Sequence, residues 1–168
     1  MDYRKFLVAA GLAIAAAAPA TAAPVAATSN AGGKALILIP LTLTKVADLE
    51  FGTVIESSTS GTVTIPADGS ARGVTGGVTP VANPLPARAQ FAGAGTPGQL
   101  VNIFLAPPAN LKDANGDTLP ISMSLESTNV TIDSTHAFFV GVGGTVTVAA
   151  NQPDGDYTGT FTVLAQYN

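Results

Sequence analysis

The sequence predicts an all-β fold, a sandwich or a barrel. Three observations carry this. Short apolar/polar alternations recur along the chain, as in Thr62-Val63-Thr64-Ile65 and Ile121-Ser122-Met123-Ser124-Leu125-Glu126. They are separated by turn-forming Gly, Pro and Asp, with 18 Gly and 12 Pro in 168 residues. No stretch combines an N-cap with a 3.6-residue apolar period, so no helix is expected after the first segment.

That first segment is a targeting sequence by its pattern. Arg4 and Lys5 form a basic start, and Phe6 to Ala18 is an unbroken apolar or small run of 13 residues. Pro19 ends it, and Ala20-Thr21-Ala22 fits the small-x-small cleavage pattern. A membrane span needs about 20 apolar residues, so a signal peptide over residues 1–22, cleaved after Ala22, is the reading adopted. Export to the periplasm, the cell surface or the medium follows as an expectation.

The remaining chain is one domain's worth. Of seven Lys/Arg and eleven Asp/Glu, Arg4, Lys5 and Asp2 lie in the signal segment, leaving five and ten, a net charge of −5. That balance gives nucleic acid no footing. There is no cysteine, which excludes disulfides, thiolate metal sites and cysteine nucleophiles. Residues 23–34 are small and read as a flexible tail leading into a single domain over residues 35–168.

The elements follow in order. Ala35–Thr44 reads as a β segment with Ile37, Ile39, Leu41 and Leu43 on one face, although Pro40 has no N–H and suits an edge. Leu49-Glu50-Phe51-Gly52 with Val54-Ile55 reads as a second strand bent at Gly52, and Thr62–Ile65 as a third with Val63 and Ile65 inward. A weak strand is expected at Gly77–Val81 and another at Ala87–Phe91. Gln99–Leu105 places Val101, Ile103 and Leu105 on one face, while Leu100 and Phe104 make the other face partly apolar. Lys112–Asp117 is a turn, followed by the strand through Ile121, Met123 and Leu125. Val130 and Ile132, then His136–Val140 as strand or loop, precede a strand at Gly144–Ala149. Tyr157–Tyr167 closes the count with Phe161, Val163, Ala165 and Tyr167 on one face. That makes about nine strands at the spacing of a sandwich or barrel.

Residues for chemistry are scarce. His136 is the lone histidine, with no cysteine or second histidine to share a metal. No G-x-S-x-G elbow presents a serine. Asp113, Asn115 and Asp117 alternate as in a calcium loop, but Gly116 is at the fourth position and no glutamate sits at the twelfth, so a hairpin turn is the better reading. No enzyme, cofactor or metal site is expected.

Several units together are similar to an uncharacterised secreted family of proteobacteria. They are the apolar run Ala35–Thr44, the L-x-F-G unit at Leu49, Phe51 and Gly52, and Gly61–Ile65. Near the end comes Gly155-Asp156-Tyr157-Thr158-Gly159-Thr160-Phe161-Thr162-Val163, then Tyr167-Asn168. The same ends resemble chaperone–usher pilins and spore-coat-like fimbrial subunits. That resemblance implies an immunoglobulin-like, pilin-like antiparallel β-sandwich. It also implies a fibre or adhesive subunit, strand donation between copies, and a periplasmic chaperone and outer-membrane usher as partners. Two fates for Ile37, Ile39, Leu41 and Leu43 stay open: the domain's own first strand, or a strand lent to a neighbour. The alternative function is a self-complete secreted or periplasmic binding module with an unknown ligand.

Overall fold

In the computed structural model the described residues are 32–81 and 83–168. The expected signal peptide and most of the expected tail lie outside them. Ile37–Asn168 forms one compact unit.

Twelve strands and no helix occur among the described residues. They are β1 (Thr42–Ala47), β2 (Val54–Ile55), β3 (Gly61–Ile65), β4 (Gly73–Gly76), β5 (Thr79–Pro80) and β6 (Ala89–Ala94). Then come β7 (Leu100–Ala106), β8 (Asn110–Lys112), β9 (Thr118–Leu125), β10 (Asn129–Thr131), β11 (Ala137–Val148) and β12 (Thr162–Tyr167). All pairings are antiparallel. Five strands, β1-β6-β11-β3-β4, form a strongly curled sheet, a half-barrel. β9 joins it on β11 and carries β8, and β2 pairs with β5 apart from it. A three-stranded sheet, β10-β7-β12, turns Val101 and Ile103 into the same cluster as Ala89, Phe138, Val140 and Val142 of the curled sheet.

The curl originates in β11. Ala137–Val142 pairs with β6, and Gly144–Val148 pairs with β3. Val142 pairs with β6 and β9 at once, and Gly144 with β3 and β9 at once. A strand residue has only two edges, so β6 and β3 share one edge of β11, one after the other. Where they part, the chain leaving β3 runs over β11. A methyl group on Gly143 would meet Ile65 O and the backbone of Pro66 and Ala67. One on Gly141 would meet Ala67 O and the Arg88 guanidinium. The alternation of β11 serves both purposes. Phe138, Val140, Val142, Val146 and Val148 point into the core, and Gly141 and Gly143 leave the other face bare for the crossing.

Two clusters fill the interior. The first gathers Ala89, Val101, Ile103, Ile132, Phe138, Val140 and Val142. The second gathers Val63, Val78, Leu111, Leu119, Val146 and Val148. Each fully buried valine contributes about 1.5–3 kcal/mol relative to exposure. On the solvent side threonines pair across strands, Thr62 with Thr75 at 2.7 Å and Thr64 with Thr145 at 2.9 Å.

Several expected elements differ in the structure. The segments expected at His136–Val140 and Gly144–Ala149 merge, without His136 and Ala149, into one 12-residue strand, Ala137–Val148, because Gly141 to Gly144 stay in the ladder as a crossing point. The weak strand expected at Gly77–Val81 is replaced by Gly73–Gly76 and Thr79–Pro80. The final strand starts at Thr162, and Tyr157–Phe161 keeps a single bridge, Thr158 to Lys112. Ala35–Thr44 is in strand pairing only from Thr42. Ahead of it the Ile39 backbone is held by side chains: its N–H donates to Thr96 Oγ1 at 2.9 Å, and its carbonyl accepts from the Tyr167 hydroxyl at 2.8 Å. Pro40 then has no N–H to give.

The turn before β11 depends on Asp133. Its Oδ1 accepts from Thr135 Oγ1 (2.6 Å), Thr135 N (2.8 Å) and Ala137 N (3.0 Å). These bonds, the Thr135 hydroxyl foremost, hold its pKa below the usual 3.8. His136 follows in a left-handed conformation, φ +69°, with Nδ1 3.2 Å from Gly95 O.

Gly143→Ala is expected to destabilise the domain by about 3 kcal/mol or more, because the obstacle is backbone. A lower urea midpoint measures it, whereas the same change at Gly98, where a Cβ meets nothing, leaves only the positive-φ penalty. Asp133 contributes stability above its ordinary pKa and loses it as pH falls through the lower folded value. Melting temperature between pH 5 and pH 2 is therefore expected to fall less steeply in Asp133→Asn than in the parent.

Candidate functional site

The motif residues converge. Leu49, Phe51 and Gly52 come from the stretch after β1, and Gly155, Tyr157, Gly159 and Phe161 from the stretch before β12. All seven line one open cleft of about 650 Å³. Its floor is the second cluster, with Val63, Leu111, Leu119, Val146 and Val148, joined by Ile121 and Met123 of β9. Val163 and Tyr167 are elsewhere, packed against the first cluster.

Each wall is fixed from behind. Gly52 has φ +75°, and the Arg72 guanidinium lies against it, donating to Phe51 O at 3.0 Å and Val81 O at 3.1 Å. Tyr157 donates to Pro153 O (2.8 Å) and accepts from Gln152 Nε2 (2.9 Å), so its hydroxyl is fixed by two bonds. Gly159 is bare because a Cβ would stand 2.8 Å from Leu111 Cδ2. Phe161 meets Phe91 edge to face at 6.2 Å and 74°.

The backbone of both walls has a used edge and a spare one. Glu50 exchanges both hydrogen bonds with Ala87, and Thr158 exchanges both with Lys112. In an extended segment, neighbouring residues then turn their N–H and C=O groups to the opposite edge. This applies to Leu49 on one wall and to Tyr157 and Gly159 on the other. The rim is acidic: Asp48, Glu50 and Asp156 line the cleft and are exposed. Lys45 meets Asp48 at 2.7 Å, and Glu50 Oε1 accepts from Gly52 N.

The apolar N-terminal face divides at Pro40. Leu41 and Leu43 are half-buried and pack on the first cluster. Ile37 and Ile39 are 89% and 47% exposed. Tyr167 marks the division: its hydroxyl donates to Ile39 O and accepts from Thr96 N at 2.9 Å.

Sequence reasoning missed the Arg72 clamp and the acidic rim. Arg72 is one of only five Lys/Arg after residue 22, which is the one signal that singles it out. The Asp113 carboxylate is taken up by its own turn, accepting from Asn115 N (3.0 Å) and Asp117 N (2.7 Å). Among the described residues no group of three or more His, Cys, Asp and Glu could hold a metal ion.

Tyr167→Phe is expected to cost about 1–3 kcal/mol, since it leaves Ile39 O and Thr96 N without their partner. Faster hydrogen exchange at the Thr96 amide checks this.

No curated protein and no solved structure matches the chain. One family model does, the domain of unknown function DUF4402, over residues 41–167. That span opens at Leu41, which packs on the first cluster, and closes at Tyr167, and the chain belongs to that family.

Proposed function

We propose that the protein is an exported structural subunit of a surface fibre or adhesive appendage. In this reading it is an immunoglobulin-like, pilin-like domain assembled by β-strand donation. The observation that carries this is the fate of the N-terminal apolar face. Ile37 and Ile39 stand exposed on a segment outside every strand pairing, while the same domain holds an open apolar cleft between two walls with spare backbone edges. A segment of alternating apolar side chains is what such a cleft takes by strand addition.

Size and charge agree. Lys34–Ile39 spans about 20 Å when extended, and a wall of five residues spans about 17 Å. The segment carries Lys34 and no acid, and the cleft rim carries Asp48, Glu50 and Asp156. The donor in this reading is Lys34–Ile39 of one copy and the acceptor is the cleft of the next. Leu41 and Leu43 stay at home in their own core. Before assembly an exposed apolar segment needs protection, which a periplasmic chaperone and an outer-membrane usher would supply.

The packing of Leu41 and Leu43 in their own domain favours a second reading, a self-complete binding module with the cleft as its ligand site.

Replacing Ile37 and Ile39 by Asp separates the two. Both are exposed, so melting is expected to shift by no more than about 2–4 °C. Concentration-dependent oligomers of the parent are expected to vanish in the variant, and a synthetic Lys34–Pro40 peptide to bind it. A parent that stays monomeric at high concentration, with no uptake of the peptide, would count decisively for the self-complete module.

A further inference from the structure

The outer face of the β10-β7-β12 sheet has a composition that neither the core nor the cleft explains. Asn129 of β10 pairs with Asn102 of β7, and Asn102 pairs with Gln166 of β12. Three amides therefore stand in one row across three strands. Asn102 Nδ2 donates to Asn168 Oδ1 at 3.0 Å, which orients its amide within the row. The next outward row is Phe104 opposite Leu164, 51% and 58% exposed. No outward-facing position of these three strands carries a charged side chain.

From this arrangement we infer that the face binds a neutral, extended polysaccharide such as a β-linked glucan. Sugar hydroxyls both donate and accept, and a carboxamide is the side chain that does both without charge. Strand spacing sets the amides about 4.8 Å apart in a line, which suits a ligand with repeating hydroxyls. The Phe104–Leu164 strip beside them gives the apolar C–H face of a pyranose ring something to cover. The missing charges leave nucleic acid and acidic polymers without an anchor. Extent argues for a narrow ligand as well. The face measures about 14 by 20 Å, near 300 Å², against the roughly 800 Å² per partner of a stable protein interface.

The test is sedimentation of the purified full chain with microcrystalline cellulose and with insoluble β-1,3-glucan, alongside affinity electrophoresis in alginate. Retention is expected on at least one glucan and not in alginate. Asn102→Ala and Phe104→Ala are each expected to weaken it about tenfold, roughly one hydrogen bond or one ring contact. Gln166→Ala, at an exposed position, gives the same loss without risk to folding. Phe139→Ala, a 70% exposed ring on the other sheet, leaves binding unchanged. Retention on neither glucan, equal retardation in alginate, or binding indifferent to the three variants overturns the inference. So does a concentration-dependent dimer that Phe104→Ala abolishes, because the face would then belong to a second copy. The face shares no residue with the cleft or with Lys34–Ile39, so its failure leaves the fibre reading standing.

Discussion

The structure depends on one crossing, where Pro66 and Ala67 pass over the bare backbone of Gly141 and Gly143. A side chain there would drive the two chains apart. Without one, β11 can give the first half of an edge to β6 and the second half to β3. Two strands on one edge must diverge, and the sheet curls as they do. Arg88 secures the corner by donating to Ala67 O and meeting Glu126 at 2.8 Å. This ion pair is partly buried and its arginine is also tied to the backbone, so it acts as a geometric brace more than as a source of Coulomb energy.

The curl decides where the interior closes. Over the first half of β11 the three-stranded sheet covers the curled one, and Val101 and Val142 lie fully buried. Over the second half, Val146 and Val148 cluster with Leu111 and Leu119 and form the floor of the open cleft. The irregular stretches around Phe51 and Tyr157 wall it, each with a single β-bridge beside its side-chain bonds. Such segments leave backbone groups and apolar surface open together, the combination a folded domain ordinarily avoids. The rim beside them is acidic, with Asp48 paired to Lys45 and Glu50 accepting from Gly52 N.

Tyr167 and Pro40 draw the boundary between what the domain keeps and what it presents. The tyrosine hydroxyl satisfies Ile39 O, which removes the need for a ladder at that residue. Proline then blocks the ladder from extending upstream. Leu41 and Leu43 go inward and Ile37 and Ile39 remain outside. An alternating apolar run that looks uniform by its spacing is thus divided in two by two side-chain hydrogen bonds at Ile39 and one imino acid.

Periodicity alone was enough for the strand through Val63 and Ile65, the strand through Val101 and Ile103, and the strand through Ile121, Met123 and Leu125. In each, alternation is a local consequence of which face meets the core. The L-x-F-G and G-x-Y-x-G-x-F units were also visible as units. Their meeting across one cleft was not, because they lie about a hundred residues apart in the chain and are joined only by the path of the sheets. The length of β11 was hidden for a related reason: glycines 141 and 143 fall in the gap between two expected segments, since nothing local says that another chain crosses there. Local chemistry determines which side chains face inward. Long-range crossing determines where the two sheets close and where they stay open, because it depends on backbone from distant segments finding room at Gly141 and Gly143.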